Sequence, residues 1–405
     1  WGDYGLPPSR SAFAVHAMVV SHYLEGGWFP QGGSARIART FEKGIEQAGG
    51  AVRVAQEVTE ILLDDDGTAT GVRVMDRRGP LSRERVYRAP VIVSAIGASN
   101  TFNHLLPTSG DIGRLTGPTR RTLANLGTGT SAVSVFLRLR DDPRSVGLDG
   151  GNIWVNRDYD HERTQEHSAR LLEGHPHDVF VSFPSLKSGE APHTAEIISF
   201  CEAKAFRRWA DRPRGERGPD YSALKERIAR GMLNLAESAA PGLSDLVDYM
   251  EVSTPLTYEH YTAHPAGAFY GPPATPLRYK SSPMGPRTAI PGLFLSGQDA
   301  GSTGIMGAMM GGLAAACQTL GPRGYTTITS ALRESSATPT PHGVHTLPES
   351  KYHAVLVSKH RLTPSVWDVT LHVDGDVDHW VPGQFARLHV GDNAWRDYSI
   401  AGLHD

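Results

Sequence analysis

The class of fold is most visible in the stretch Pro291-Gly292-Leu293-Phe294-Leu295-Ser296-Gly297-Gln298-Asp299, which leads into Gly304-Ile305-Met306-Gly307-Ala308. A short apolar run that ends in Ser-Gly predicts a strand and a tight turn, and the second segment predicts a helix start. A helix start offers free N–H groups and a positive dipole end, which suit an anionic or electron-rich ligand edge. Asp299 can accept a hydrogen bond from a hydroxyl of a sugar-like chain. From these residues alone, an ordinary strand-to-helix turn is an equally good interpretation.

Hydrophobic periodicity predicts several elements upstream of this stretch. Segments 58–63 and 70–75 predict a hairpin around an acidic turn, and Val91–Ala95 predicts a buried strand. Residues 131–139 and 179–183 predict further strands, and the spacing of apolar residues between 224 and 235 predicts a helix. The run between Asp299 and Arg323 has no charged residue, and it is long enough to form a membrane span. Its six glycines instead favour a buried helix that packs against a cofactor.

The quoted stretch resembles the C-terminal FAD motif of the flavoprotein family of phytoene desaturases, carotenoid isomerases and retinol saturases. The resemblance implies that Asp299, after the turn at Gly297, binds the ribityl chain of FAD. It also implies that Gly304, Ile305 and Met306 face the pyrimidine ring of the flavin.

Four further segments resemble motifs of the same family, in the same order along the chain. They are Glu25–Ser34, Glu57–Ile61, Val91–Ala95, and Ser253–Thr257 taken with Gly267–Gly271. The positions that they imply for FAD are Val58, Ser94 and Ala95. Gly32, Gly33, Tyr258 and Tyr270 are guesses at substrate contacts, which the resemblance does not itself assign. No residue presents itself as a catalytic acid or base. Five ordered matches are specific to the family and much less specific to one reaction.

The family resemblance implies an α/β fold over residues 1–325, with a Rossmann-like FAD-binding domain and an inserted mixed-sheet substrate domain. The family's G-x-G-x-x-G pyrophosphate fingerprint belongs near the N-terminus, after a first strand, and this chain does not show it. Because the first residue is Trp1 and the last is Asp405, we expect a chain truncated at both ends.

A second motif lies near the C-terminus, where Val381-Pro382-Gly383-Gln384-Phe385 precedes Arg396-Asp397-Tyr398-Ser399. An arginine beside an aromatic ring and a hydroxyl can hold a phosphate, stack on a ring and hydrogen-bond a ring nitrogen. Together the segments resemble the FAD domain of ferredoxin–NADP reductases, which implies that Arg396, Tyr398 and Ser399 bind FAD. We therefore expect a linker over residues 326–350 and a partial antiparallel barrel over 351–405, with NAD(P)H as a possible electron donor.

Composition and charge exclude several classes of protein. The chain has 40 basic and 43 acidic residues, which argues against a nucleic-acid surface. Two cysteines, Cys201 and Cys317, rule out a disulfide framework, and both are expected to be buried.

His161 and His167 are six residues apart, which does not fit the zinc motif H-E-x-x-H, and His175 and His177 flank a proline in a predicted loop. No metal site is therefore predicted. Residues 1–20 show no signal peptide, which proves little for a chain expected to be truncated. The expected location is the cytoplasm, with peripheral membrane contact as a further possibility.

The resulting hypothesis is an FAD-dependent oxidoreductase that acts on C=C or C–C bonds of a hydrophobic, carotenoid- or retinoid-like polyene. A fused reductase module would deliver electrons, which favours a reductase or a reduced-flavin isomerase. A desaturase of the same family is one alternative. Another is a non-catalytic protein that binds prenyl chains or lipids, because Rab GDP-dissociation inhibitors share this general architecture.

Overall fold

The computed structural model describes residues 4–78, 82–189, 191–280, 285–335, 353–361, 367–374, 385–389 and 395–399. The chain divides into two compact units, Trp1–Tyr23 with Gly27–Ile328 and Leu24–Gly26 with Thr329–Asp405. The strands are β1 (Gln56–Leu63), β2 (Ala69–Asp76), β3 (Arg83–Arg88), β4 (Ile92–Ser94), β5 (Ser131–Leu139), β6 (Ile153–Asn156), β7 (Asp178–Ser182), β8 (Thr194–Cys201), β9 (Val247–Ser253), β10 (Leu293–Leu295), β11 (His353–Arg361), β12 (Trp367–Asp374), β13 (Phe385–His389) and β14 (Trp395–Ser399).

The helices of the described residues lie between these strands. They are α1 (Phe13–His22), α2 (Ala35–Gln47), α3 (Ala98–His104), α4 (Gly110–Leu126), α5 (Thr164–Leu172), α6 (Pro184–Ser188), α7 (Pro219–Glu237), α8 (Leu243–Leu246), α9 (Pro255–Thr262), α10 (Pro276–Lys280), α11 (Gly304–Thr319) and α12 (Gly324–Ser335). Short 3₁₀ segments occur at Tyr23–Glu25, Pro143–Val146, Ala203–Trp209 and Pro265–Gly267.

The largest sheet has the strand order β6-β7-β8-β5-β9, and each neighbouring pair is antiparallel. Buried and half-buried side chains alternate along β8, as in a sheet with one face against a core. Helix α7 covers that face, and its fully buried Ile228 and Met232 join Val135 and Ile197 in one apolar cluster. The predicted mixed sheet is therefore wrong for these strands. Parallel strands commonly carry helices on both faces, whereas one face of β8 and of the second half of β5 is half-buried or exposed.

Strands β4 and β10 form a parallel pair in which Leu293 lies opposite Ile92. Leu293 is 1% exposed and packs in a cluster with Phe102 of α3. The predicted strand at 91–95 is shorter than expected, and Val93 is 48% exposed rather than buried. Within the described residues β4 pairs with β10 alone, so its outer side is not covered by another strand. The carboxyl ends of both strands meet at one edge, from which α3 and α11 begin.

Strands β1, β2 and β3 form an antiparallel sheet, which confirms the predicted hairpin. Its acidic turn is closed by Asp64, whose Oδ1 accepts hydrogen bonds from the backbone N–H groups of Asp66 and Thr68. The carboxylate thus replaces backbone partners that the turn cannot supply.

The glycine-rich helix α11 packs its glycine side against the turn that precedes it. A Cβ added at Gly311 would lie 2.0 Å from the carbonyl oxygen of Gly297, and one at Gly307 would lie 2.0 Å from that of Ser302. The G-x-x-x-G spacing therefore serves close backbone packing. The expectation of a buried helix is only half right, because the opposite side exposes residues such as Met309. Across the described residues, no helix combines the length and apolarity needed to cross a membrane.

The second unit contains two antiparallel strand pairs, β11 with β12 and β13 with β14. Helix α12 extends to Ser335, so the beginning of the predicted linker at 326–350 is helical. Residues 336–350 lie outside the described part of the chain. The assignment of 351–405 to a partial reductase-type barrel stays a prediction.

Candidate functional site

Asp299 lies just beyond the carboxyl end of β10 and is 3% exposed. Its Oδ2 accepts a hydrogen bond of 2.7 Å from the backbone N–H of Ala98, the first residue of α3. A carboxylate at a helix start satisfies an N–H that has no intrahelical partner and interacts favourably with the helix dipole. One oxygen of Asp299 is therefore committed to holding the two strand ends together.

The other carboxylate oxygen, Oδ1 of Asp299, is buried and has no hydrogen-bond partner among the described residues. The Nη2 atom of Arg278 lies 3.8 Å away, too far for a hydrogen bond. A Cβ added at Gly271 would lie only 2.4 Å from this oxygen. A buried acceptor without a donor costs about 1–3 kcal/mol. The oxygen is therefore suited to a donor that comes from outside the chain, such as a ligand hydroxyl.

The space beside this oxygen is a cavity of about 20 Å³, which suits one water-sized group. Gly97, Asn100, His264 and Gly271 line it together with Asp299. A ligand could place a single hydroxyl here while the rest of it lies outside.

Arg278 is a buried residue beside the candidate site that the sequence did not indicate. It is 1% exposed, and its guanidinium donates hydrogen bonds to the carbonyl oxygens of Tyr270 at 3.1 Å, Pro272 and Gln298 at 2.6 Å. These bonds hold Gly271 against the turn that carries Asp299. Nothing in the run Thr275-Pro276-Leu277-Arg278 indicated this role, because its partners are backbone carbonyls.

The segment around His264 was missed as well. Two alanines near it, Ala263 at φ 55° and Ala266 at φ 58°, have left-handed backbone conformations that are costly for residues with a Cβ. A Cβ added at Gly97 would lie 3.4 Å from Cε1 of His264. Strained backbone of this kind clusters at functional sites, so the strain places His264 among the candidate site residues.

The start of α11 is exposed in the structure. Gly304 has φ 82°, and the side chain of Thr303 does not cap the helix. Ile305 is 62% exposed and Met306 is 51% exposed. The first N–H groups of a helix have no intrahelical partner, so they are available to an electron-rich ligand edge.

The structure brings Ser94, Ala95 and Gly297 together beside Asp299. The carbonyl of Ser94 accepts a hydrogen bond of 2.8 Å from the N–H of Ser296, and its hydroxyl lies 2.7 Å from Oγ1 of Thr101. A Cβ added at Gly297 would lie 3.7 Å from the carbonyl oxygen of Ala95. The hydroxyl and the carbonyl of Ser94 thus both have partners within the chain.

The other predicted residues lie elsewhere in the fold. Val58 pairs with Val74 next to a bulge in the hairpin sheet, and Gly32 and Gly33 both have φ 78° in a turn before α2. The hydroxyl of Tyr258 on α9 donates to Oγ of Ser134 at 2.6 Å, and burial raises its pKa to about 12. Among the described residues, no hydrogen bond links Val58, Gly32, Gly33 or Tyr258 to Asp299.

Arg396, Tyr398 and Ser399 lie on β14, opposite Leu388, Ala386 and Phe385 of β13. Their side chains lie outside the part of the structure that is described. Their roles in FAD binding stay predictions.

A carboxylate at the carboxyl edge of parallel strands, next to glycine-lined close approaches and an open helix start, is typical of α/β proteins that bind nucleotide cofactors. Residues 4–320 match the sequence profile of the family described as flavin containing amine oxidoreductase, so the chain belongs to that family. This confirms the predicted class of flavoprotein.

Three proteins that are similar in sequence to this chain carry names from the family that the sequence motifs indicated. The all-trans-retinol 13,14-reductase of Danio rerio is 32% identical over 330 residues, which is 77% of this chain and 53% of that protein. The chloroplastic prolycopene isomerase of Arabidopsis thaliana is 27% identical over 69% of this chain and 43% of its own length. A neurosporene-forming phytoene desaturase of Cereibacter sphaeroides is 44% identical over 75 residues, 18% of this chain and 13% of that protein. The chain spans about half the length of the retinol reductases that it matches.

Proposed function

We propose that this chain is part of an FAD-dependent oxidoreductase that acts on C=C or C–C bonds of a hydrophobic, carotenoid- or retinoid-like polyene. Relatives named for retinol reduction and prolycopene isomerisation support the substrate class. The observation that carries the cofactor assignment is the buried, unpartnered Oδ1 of Asp299.

The residues at the site fit the ribityl end of a flavin cofactor. Oδ1 of Asp299 would accept a hydrogen bond from a ribityl hydroxyl, and Gly97 and Gly271 leave room for it beside the carboxylate. The N–H groups at the start of α11 would hold the electron-rich edge of the ring at Gly304, Ile305 and Met306. A bound flavin supplies hydride transfer to or from carbon, while the protein orients the reactants.

Two of the candidate substrate residues, Tyr258 and Tyr270, belong to an aromatic group around Phe269. The rings of Phe269 and Tyr258 lie edge to face with centroids 4.6 Å apart, and the Phe269 ring also lies edge to face with Phe200 and Tyr270. The phenol of Tyr258 is neutral at physiological pH, as in any tyrosine with an ordinary pKa, and burial raises this pKa further, to about 12. A neutral, aromatic surface suits an uncharged polyene, which offers no group for a charged partner.

The direction of the reaction is inferred from the C-terminal module. A reductase or a reduced-flavin isomerase must receive electrons, and a reductase-type FAD domain in the same chain would deliver them from NAD(P)H. Anaerobic addition of NAD(P)H to the full-length gene product should bleach the flavin absorbance. A spectrum that stays unchanged would refute the fused-donor proposal while leaving FAD binding intact.

The cofactor proposal is tested by the variant Asp299→Asn in the full-length gene product. It removes the charge and places an amide where the ribityl hydroxyl would donate. A hydrogen bond to a charged group contributes about 1.5–3 kcal/mol, so flavin affinity should fall about 10- to 150-fold. The measurement is the flavin content per chain and its dissociation constant, read from absorbance and fluorescence.

The matched control is Asp76→Asn, because Asp76 is also buried, at 6% exposed, but lies at the end of β2 and pairs with Arg78 and Arg85. The control should lose stability without a selective loss of flavin. Equal flavin affinity in Asp299→Asn and wild type would contradict the site. A colourless full-length protein that still binds a polyene would favour the non-catalytic alternative.

A further inference from the structure

A second cluster of chemically active side chains lies in the large antiparallel sheet domain, outside the site described above. His167 on α5, His177 just before β7 and Asp178 at the start of β7 each offer one ligand atom, and these atoms all lie within 4.8 Å of one another. In the sequence, these histidines belong to two separate groups, His161 with His167 and His175 with His177. The fold takes one histidine from each group and places them side by side.

His177 is built into this cluster without a partner for its polar atoms. It is 2% exposed, and neither ring nitrogen has a hydrogen-bond partner among the described residues. The nearest acidic atom is Oδ1 of Asp158, 3.6 Å from Nε2. In a neutral imidazole one nitrogen is an N–H donor and the other is an acceptor, so His177 has one donor and one acceptor without a partner. A buried group in this condition indicates that something binds there.

The chemical types of the three side chains suit a cation. His167 and His177 each offer an imidazole nitrogen and Asp178 offers a carboxylate oxygen, which are atoms that ligate metal ions in proteins. Two imidazoles and one carboxylate form a donor set that zinc accepts in proteins.

We propose that His167, His177 and Asp178 bind one divalent transition-metal ion, of which Zn²⁺ is the one to test. Three protein ligands leave the fourth tetrahedral position to water. Ligation through Nδ1 of His177 leaves Nε2–H facing Asp158, an arrangement in which the carboxylate orients the ligand. The ion would join α5 to the start of β7 and stabilise that side of the sheet domain.

The present ring geometry defines what must move. The rings of His167 and His177 are stacked, with centroids 3.7 Å apart and planes 5° apart. Nitrogen lone pairs lie in the ring plane, so two stacked rings cannot direct both toward one ion. His167, the half-buried member, has to tilt out of the stack, whereas packing holds His177.

The test uses the full-length gene product with its purification tag removed, after treatment with a chelator. Zn²⁺ is titrated in competition with a chromophoric chelator, and the thermal unfolding midpoint is measured with and without Zn²⁺. We expect one Zn²⁺ per chain at this site and a higher midpoint in its presence. His167→Gln should weaken binding more than 100-fold and abolish the midpoint shift. Asp158→Asn should weaken it about tenfold, as expected for a carboxylate behind a ligand.

The control is His175→Gln, because His175 is exposed, lies two residues from His177 and is not part of the cluster. Its Zn²⁺ affinity should equal that of the wild type. Asp178→Asn repeats the test should His167→Gln fail to fold. Failure of the wild type to take up Zn²⁺, or equal affinity in wild type and the ligand variants, would overturn the proposal. Because flavin content is read separately, neither outcome depends on the flavin site.

Discussion

Gly271→Ala is the substitution that most directly tests the position of the Asp299 carboxylate. The new methyl group would lie 2.4 Å from Oδ1, closer than any real contact of a Cβ. Gly271 also has φ 62°, a left-handed conformation that alanine adopts at a cost. The variant therefore combines a backbone effect with a clash at one carboxylate oxygen.

The two contributions can be separated in magnitude. Alanine in the left-handed region costs about 1–2 kcal/mol. Relief of the clash requires Asp299 to rotate, which breaks its 2.7 Å hydrogen bond from Ala98. That bond involves a charged acceptor, so its loss costs about 1.5–3 kcal/mol. We expect the free energy of unfolding to fall by about 2.5–5 kcal/mol in total.

Gly110→Ala is the matched control, because Gly110 has φ 68° and a Cβ added there would meet nothing within 4 Å. It should cost only the backbone part, about 1–2 kcal/mol. Urea unfolding of both variants gives the difference, and flavin content gives a second reading. A displaced Asp299 should weaken flavin binding, by about tenfold for each 1.4 kcal/mol of binding free energy that is lost. If Gly271→Ala is no less stable than Gly110→Ala and keeps its flavin, the carboxylate does not lie against Gly271.

Three further predictions concern helix packing, thiol reactivity and the aromatic group. Gly311→Ala would place a Cβ 2.0 Å from a backbone oxygen, so it should destabilise the protein by about 1–3 kcal/mol or more. Gly44→Ala is the control, because Gly44 faces open space in exposed α2, and it should stabilise the protein by about 0.5–1 kcal/mol. Equal urea unfolding midpoints for the two variants would contradict the packing of α11. Burial raises the pKa of the Cys201 thiol, so a thiol reagent should label only half-buried Cys317 in the native protein and both cysteines in urea; two fast reactions under native conditions would count against it. Tyr258→Phe leaves a buried serine hydroxyl without its partner and should cost about 1–3 kcal/mol in urea unfolding, and an unchanged midpoint would exclude this hydrogen bond.

The local elements were largely predictable because short-range rules govern them. The hairpin of β1 and β2 follows from alternating side chains around an acidic turn, and α7 follows from apolar residues at helical spacing. The strand, turn and helix around Asp299 follow from the glycines that end the strand, at Gly297, and begin the helix, at Gly304. The predicted buried strand at β4 was wrong in its burial, because burial depends on neighbouring elements that local sequence does not specify.

The wall of the candidate site was not predictable in the same way. Arg278 acts through backbone carbonyls, which every residue has, so no residue pattern marks its partners. His264 was overlooked because the left-handed alanines beside it carry no sequence signature. Glycine or asparagine at those positions would have indicated a left-handed backbone conformation, whereas alanine rarely adopts it and so does not predict it.

The cysteine predictions show the same division. Cys201 is buried on β8, as expected from the apolar run before it. The prediction that Cys317 is buried was wrong, since it is half-buried on α11. The glycine side of that helix is the buried one, and a helix with apolar residues on all sides does not reveal from sequence which side packs.

The two proposed binding sites share one physical signature. Oδ1 of Asp299 and the ring nitrogens of His177 are buried polar atoms for which the described part of the chain supplies no hydrogen-bond partner. A fold that leaves such atoms dry loses about 1–3 kcal/mol at each, a large share of the net stability of a domain. At Asp299, glycines on either side keep space open for the missing partner, and at His177 a half-buried ring can tilt to admit one. Desolvation without compensation is thus the common reason to expect a ligand at both places, and the nature of the unsatisfied atoms separates them. An oxygen acceptor calls for a hydroxyl donor, whereas clustered imidazole nitrogens and a carboxylate call for a metal ion.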